Sequence, residues 1–121
     1  MTFDPAQISG ADIRQKFMAL LKERILVIDG ATGTALQELD LTAEDFGGED
    51  LYGCNENLIL TRPEVIRSVH RSYLEAGADC IETNTFGATP LVLDEYSLGH
   101  LALEVNEVGA QLASGLSEDP W

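Results

Sequence analysis

The chain has 121 residues, of which 45% are hydrophobic, enough for the core of one small domain or of part of a larger one. It carries 21 acidic and 7 basic residues, for a formal net charge of -14. A surface this acidic repels phosphate backbones and anionic lipid headgroups, which argues against binding to nucleic acid or to a membrane surface.

The N-terminal sequence and the cysteine content indicate a cytoplasmic protein. The first residues lack the basic stretch and the apolar run of a signal peptide, and no segment approaches the roughly 20 apolar residues of a membrane span. Cys54 and Cys80 are too few for a secreted disulfide scaffold or for a zinc site. We expect both to be reduced thiols.

A helix and then a strand are predicted at the start of the chain. Ser9 and Asp12 stand at capping-box spacing, and the helix that they begin is predicted to end near residue 23 or 24. Residues 25–28 (ILVI) are predicted as a strand buried on both faces, as a parallel sheet covered by helices requires. The apolar residues of the helix form one stripe that we expect to pack in the core: Ile13, Phe17, Leu20 and Leu21.

The next segment is predicted to be mostly irregular. Residues 34–39 are compatible with a short helix, and residues 40–60 are acidic and punctuated by glycines, which is typical of a loop. A loop of this length inside a compact domain is usually functional or disordered.

The second half repeats the order of helix, strand and helix. Thr61 and Glu64 stand at capping-box spacing around Pro63, and Gly77 is expected to end this helix in a left-handed conformation. The apolar stripe of this helix is Val65, Ile66, Val69, Tyr73 and Leu74. Residues 80–84 are predicted as a second strand, and an apolar repeat from residue 101 to residue 112 predicts a last helix that ends near residue 114 or 115. This alternation is typical of α/β folds with parallel strands.

The two predicted strand ends are the candidate site, because loops that leave the carboxyl ends of parallel strands build the active sites of such folds. Asp29 and Gly30 follow the first strand, where a carboxylate could hold a ligand's ammonium group; equally, Asp29 could cap the short helix that follows. Thr83, Asn84 and Phe86 follow the second strand and resemble the lining of a polar ligand pocket, or else satisfy local turn groups.

Other candidates are weaker. The glycines of residues 30–33 lack the spacing of a dinucleotide-binding loop, and no P-loop lysine follows them. His70 and His100 have no carboxylate or cysteine partner at ligand spacing, which favours packing or surface roles. Cys54 has no basic neighbour that would lower its pKa, which argues against a nucleophile.

Four ordered segments resemble the homocysteine-binding domain of cobalamin-dependent methionine synthases, within the homocysteine S-methyltransferase family. They are RILVIDGATG, LTAEDFGGE, LTRPEVIRSVHRSYLEAGAD and IETNTFGAT, and the similarity extends from about residue 14 to residue 113. The LTAEDF segment favours the cobalamin-dependent branch over methyltransferases that use betaine or another donor.

This resemblance implies a fragment of a (β/α)8 TIM-type barrel, an α/β fold. Residues 1–121 would be the N-terminal portion: the leading helix, the first two strands and their helices, without the rest of the barrel. The family transfers a methyl group from methylcobalamin, regenerated from methyltetrahydrofolate, to homocysteine and so makes methionine. Its zinc is held by three cysteines in Asn-Cys and Gly-Gly-Cys-Cys motifs, and neither motif occurs here. Ligands for zinc and for cobalamin would therefore come from the remaining barrel and from the folate and cobalamin domains.

By the same resemblance, this chain would bind the amino-acid end of homocysteine and carry no catalytic or metal-binding residue. Two strands alone leave hydrogen-bonding edges unpaired, so the chain is expected to be marginally stable alone, to assemble with copies of itself or to be one part of a longer chain. Without the zinc ligands it is expected to be inactive. The alternative is a truncated barrel that serves as a non-catalytic binding module. The family's substrate-binding positions correspond to Asp29, Gly30, Asn55, Thr83, Asn84 and Phe86.

Overall fold

A computed structural model describes residues 10–116 of the chain. This part is mostly helical, with short 3₁₀ turns between several of the helices. The helices are α1 (Gly10–Glu23), α2 (Thr32–Gln37), α3 (Ala43–Phe46), α4 (Leu58–Thr61), α5 (Pro63–Glu75), α6 (Pro90–Leu93) and α7 (Ala102–Ser114). Within these residues no helix is long and apolar enough to cross a bilayer.

Two extended segments, residues 25–29 and 80–84, meet at one parallel bridge between Ile28 and Cys80. The backbone N–H of Cys80 donates to the carbonyl of Val27 at 3.2 Å, and the N–H of Asp29 donates to the carbonyl of Cys80 at 3.0 Å. This slanted alternation is the hydrogen-bond pattern of a parallel pair. The bridge places the ends of the two extended segments side by side.

The prediction of two full strands is wrong for this structure, and the described residues form no barrel. Only the single bridge forms, and Ile25, Val27 and Ile28 are 87%, 54% and 57% exposed instead of buried on both faces. An isolated pair of short strands makes few hydrogen bonds and buries little surface, so it does not propagate into a ladder. Residues 10–116 supply no third strand that would extend the pairing.

The predicted first helix is present as α1, but its expected core packing is wrong. Ile13, Phe17 and Leu21 are 57%, 42% and 45% exposed, and α1 has no buried residue. Periodicity defines an apolar face without defining what covers it. The predicted cap residue Ser9 lies outside the described residues.

The core lies between α4, α5 and α7, and its α5 and α7 residues fall on the apolar repeats predicted from the sequence. Ile59 and Ile66 are fully buried, and Val105 is 1% exposed. The buried cluster consists of Leu36, Phe46, Leu58, Ile59, Val65, Ile66, Val69, Ala88, Val105 and Leu112.

Residues 40–60 are helical turns rather than the predicted loop. Helix α3 begins where the backbone N–H and the hydroxyl of Thr42 both donate to Oδ2 of Asp45, at 2.8 and 3.0 Å. Asn57 is buried, and its Nδ2 donates to the carbonyl of Phe46 at 2.7 Å. The segment folds because its apolar residues join the core and its buried amide has a backbone partner.

Helix α5 begins at Pro63, one residue after the start that a Thr61 cap predicts, and without the predicted capping box. The Thr61 hydroxyl donates to the carbonyl of Asn57 at 3.2 Å, and the Glu64 carboxylate pairs with the Arg62 side chain. Gly77 has the left-handed φ of 104° that ends the helix. Helix α2 begins two residues before the predicted helix over 34–39, and α6 is an unpredicted element.

Candidate functional site

The Asp29 side chain joins the two extended segments just beyond their bridge. Its Oδ1 accepts a hydrogen bond from the backbone N–H of Glu82 at 2.9 Å. Helix α2 has Ala31 as its N-cap and no side-chain capping bond. The alternative reading of Asp29 as a helix cap is therefore wrong, and its carboxylate belongs to the meeting point of the two predicted strand ends.

The second carboxylate oxygen of Asp29 is buried without a hydrogen-bond partner among the described residues. A buried acceptor that lacks a donor costs free energy, and a charged acceptor costs more. An N–H or ammonium group of a ligand would satisfy Oδ2 while Glu82 continues to hold Oδ1. This arrangement suits a cation-binding carboxylate.

Gly30 provides open space beside Asp29. A Cβ at this position would meet no heavy atom within 4 Å, and the residue is exposed. Its φ is outside the left-handed region, so no backbone strain requires a glycine here. The absence of a side chain leaves the backbone of the turn accessible to a ligand.

The structure brings Asn84 and Asn55 together. Nδ2 of Asn84 donates to the backbone carbonyl of Asn55 at 2.9 Å, and a Cβ at Gly33 would lie 3.9 Å from Nδ2 of Asn55. The Asn55 segment therefore lies between the second extended segment and the start of α2. The Asn84 contact is long-range rather than the local turn contact that was the alternative.

Thr83 and Phe86 contribute less to this arrangement. The Thr83 hydroxyl shares a hydrogen bond of 2.6 Å with the Thr85 hydroxyl, which is the local turn interaction. Phe86 is fully exposed, at 103% of its reference area. In the described part of the chain, neither side chain completes an enclosed pocket.

Glu56 and His70 are not among the site residues predicted from the sequence. Oε1 of Glu56 accepts the backbone N–H of Gly87 at 2.9 Å, which fastens the Asn55 segment to the turn after Phe86. His70 on α5 is 0% exposed, as its position four residues after Ile66 on the buried face would have indicated. The contact of Glu56 depends on tertiary structure and has no local sequence signal.

His70 is fully buried on α5. Burial lowers the pKa of His70, and the negative charge of Asp29 opposes this by raising it. Both ring nitrogens are buried with no hydrogen-bond partner among the described residues. The packing role expected for this histidine is confirmed by its burial, but packing does not account for its two polar atoms.

The described residues do not fit a zinc site. Within residues 10–116 no three His, Cys, Asp or Glu side chains lie close enough together to hold a metal ion. Both cysteines are free thiols, and burial raises the pKa of Cys54, which keeps that thiol protonated and unreactive.

An open crevice of about 400 Å³ shares Asn55 with the candidate site. Its other lining residues are Leu36, Gln37, Asp40, Leu41, Phe46, Tyr52 and Gly53. Asp29 is not part of this lining.

Comparison with known proteins agrees with the motifs quoted above. The sequence profile of the family described as homocysteine S-methyltransferase matches residues 26–120. The protein named methionine synthase from Mycobacterium tuberculosis (strain ATCC 25618 / H37Rv) is 44% identical over 100 residues, which cover 83% of this chain and 8% of that relative. The chain thus spans about 8% of the length of this curated relative. With the greater part of its sequence matched by the family profile, the chain belongs to the homocysteine S-methyltransferase family.

Proposed function

We propose that this chain is the N-terminal portion of a homocysteine-binding barrel and that it holds the amino-acid end of homocysteine. The observation that supports this most directly is the buried, unpartnered Oδ2 of Asp29 at the junction of the two extended segments. The parallel bridge at that junction corresponds to the pairing expected of the first two barrel strands. Family membership and the likeness to a methionine synthase support homocysteine as the ligand.

In this proposal the α-ammonium group of homocysteine donates to Asp29. Charge-assisted hydrogen bonds between ammonium and carboxylate are stronger than neutral ones, and burial of Oδ2 keeps water from competing. Open backbone at Gly30 lets the amino-acid end approach closely. The remaining proposed contacts come from Asn55, Thr83, Asn84 and Phe86, and the exposed Phe86 ring would be covered when the rest of the pocket is present.

The proposed reaction is transfer of a methyl group from methylcobalamin, regenerated from methyltetrahydrofolate, to homocysteine, giving methionine. In the family, bound zinc supplies the acidity that turns the homocysteine thiol into a thiolate. The residues of this chain would hold and orient the substrate, while the remaining barrel and the folate and cobalamin domains supply the metal and the donor. We expect a cytoplasmic enzyme; a betaine-type donor is the alternative that the family leaves open.

The test is the substitution Asp29→Asn in the intact protein, with calorimetric titration of homocysteine. We expect a loss of affinity of about 10- to 100-fold, the usual effect of weakening a hydrogen bond to a charged group. The compound 4-sulfanylbutanoate, which is homocysteine without its amino group, should bind equally to both forms. Asp50→Asn, at an exposed acidic residue, is the matched control. Unchanged homocysteine affinity in Asp29→Asn would remove Asp29 from the site.

A further inference from the structure

We propose that Glu56 is a positioning residue of the candidate site: its carboxylate fixes the turn that carries Phe86, so that the Phe86 ring is in place to pack on the side chain of homocysteine. The inference rests on the proposed function, in which Asp29 binds the amino group and Phe86 belongs to the same pocket. Glu56 touches no substrate in this proposal and acts only through the turn.

The first support is a long-range hydrogen bond at a buried backbone group. Oε1 of Glu56 accepts the backbone N–H of Gly87 at 2.9 Å, across 31 residues of sequence. Gly87 is buried and Glu56 is half-buried. A buried N–H that loses its acceptor costs free energy, and a carboxylate is a stronger acceptor than a neutral group. The contact therefore stabilises the turn directly beside Phe86.

The second support is the close fit of the carboxylate against Gly87. A Cβ at Gly87 would lie 2.7 Å from Oε1 and 3.1 Å from Cδ of Glu56, and 3.2 Å from Cγ1 of Val92. A larger residue at this position would push the carboxylate away. The glycine that follows Phe86 thus has a physical role, which is to let the side chain of Glu56 reach the backbone of the turn.

The third support is that the same turn is held at two further points. Nδ2 of Asn106 donates to the carbonyl of Ala88 at 2.7 Å, and Nδ2 of Asn84 donates to the carbonyl of Asn55 at 2.9 Å. Between these contacts the Phe86 side chain is fully exposed, at 103% of its reference area. A turn that is fixed before the ligand arrives presents its ring without an ordering cost on binding.

The chemistry of the ring indicates which part of the ligand it serves. An aromatic ring packs favourably on methylene groups and on sulfur, whereas the ammonium group is the part assigned to Asp29. Homocysteine and 4-sulfanylbutanoate share the methylene groups and the sulfur. Loss of the Glu56 contact should therefore affect both compounds, unlike loss of the Asp29 charge.

The experiment compares Glu56→Ala with Glu56→Gln in the intact protein, by calorimetric titration of both compounds. Alanine removes the acceptor, whereas glutamine keeps an oxygen that can accept the Gly87 N–H. We expect Glu56→Ala to bind both compounds about tenfold more weakly, and Glu56→Gln to stay within about threefold of wild type. Equal losses in the two variants would overturn the proposal, because it requires rescue by the conservative change.

Asp94→Ala is the matched control. Oδ1 of Asp94 accepts the backbone N–H of Gly99 at 3.1 Å, which is the same kind of contact between a carboxylate and a glycine. That contact joins α6 to the turn before α7 and includes no predicted site residue. Asp94→Ala should leave both affinities unchanged. A loss as large as that of Glu56→Ala would mean that general destabilisation explains both variants.

A double-mutant cycle with Phe86→Ala tests whether Glu56 acts through the ring. Phe86→Ala alone should weaken both compounds, and it should add little in a Glu56→Ala background, since the ring is then already misplaced. Additive losses would contradict the proposal. If Glu56→Ala does not fold, Glu56→Asp takes its place in the cycle, because its side chain is one methylene shorter and falls short of Gly87.

Asp29→Asn separates the two levels of inference. If Asp29→Asn fails to discriminate between homocysteine and 4-sulfanylbutanoate, the proposed function fails. If Asp29→Asn discriminates while Glu56→Ala binds both compounds as wild type does, or weakens homocysteine alone, only the role of Glu56 fails.

Discussion

The Arg24 guanidinium and the Asp79 carboxylate pair through two parallel hydrogen bonds across 55 residues of sequence. Nη1 donates to Oδ2 at 2.8 Å, and Nη2 donates to Oδ1 at 2.6 Å. The same Oδ2 accepts the backbone N–H of Val27 at 2.9 Å. A carboxylate therefore lies on each side of the Ile28–Cys80 bridge. Asp79 precedes the bridge and accepts the N–H of Val27, and Asp29 follows it and accepts the N–H of Glu82.

Acid should weaken this junction. The Arg24 hydrogen bonds, and then the N–H of Val27, lower the pKa of Asp79 from 3.8 to about 2. Because the pKa of Asp79 is lower in the folded chain than in the unfolded chain, its ionised carboxylate contributes its full stabilisation above about pH 4. This stabilisation is lost as the pH falls from about 4 to about 2. Asp79→Asn should therefore reduce stability at neutral pH, and its difference from wild type should shrink through that window.

Urea denaturation at neutral pH and at several values below pH 4 measures this difference. Asp50→Asn serves as the control because Asp50 is exposed, and it should show little change at any pH. A stability gap between wild type and Asp79→Asn that stays constant as the pH falls would show that the ion pair does not control the junction.

The helices of the second half could be predicted because their sequence signals are local. The apolar stripe of α5, Pro63 at its start and Gly77 at its end act within one helix, and the structure has each of them. The prediction of a loop over residues 40–60 is wrong because their glycines and acids indicate a loop, while the burial of Phe46 and Leu58 in the core outweighs that tendency. Burial is a property of the whole fold and overrides local propensity.

The strand prediction fails for a different reason. A β-branched run at residues 25–28 predicts a strand correctly only when neighbours satisfy its two edges and two faces, and residues 10–116 offer one bridge. Strand order makes Asp29 and Asn84 candidates for the site. Asp29 contacts the second extended segment, and Asn84 contacts the backbone of Asn55. Contacts such as Glu56 with Gly87 depend on how loops pack, which short-range pattern does not encode.

Alanine substitutions at a buried and at an exposed isoleucine should differ sharply in their effect on the free energy of unfolding. Ile66 is fully buried, so Ile66→Ala should cost about 2–5 kcal/mol in unfolding free energy. Ile13 is 57% exposed on α1, and Ile13→Ala should stay within about 0.5 kcal/mol in this chain. Chemical denaturation of the two variants makes the comparison. A large cost for Ile13→Ala would mean that the stripe of α1 is covered in solution, by another element or by a second copy.

The 121-residue chain should not retain zinc. It contains only two cysteines and two histidines, and Cys54 and His70 are both buried. Metal analysis after dialysis should find far less than one zinc per chain, and a chelator should leave the thermal unfolding midpoint unchanged. One tightly held zinc per chain would contradict the assignment of the metal ligands to sequence outside these residues.

At Gly109, α7 packs tightly against Thr85, which directly follows the second extended segment, and against Ile59 of α4. A Cβ at this position would lie 2.8 Å from Cγ2 of Thr85 and 3.2 Å from Cδ1 of Ile59. Alanine favours a helix over glycine by about 1 kcal/mol, but overpacking of a tight core costs about 1–3 kcal/mol. Because Thr85 and Ile59 crowd the position from two elements, we expect Gly109→Ala to be destabilising on balance.

The matched control for Gly109→Ala is Gly10→Ala, at the first residue of α1, where a Cβ would meet nothing within 4 Å. Gly10→Ala should be neutral or slightly stabilising, since it adds helix propensity without a clash. Thermal unfolding of both variants separates the two effects. If Gly109→Ala matches Gly10→Ala, then α7 can move away from Thr85 at little cost, and the packing there does not fix the second strand end.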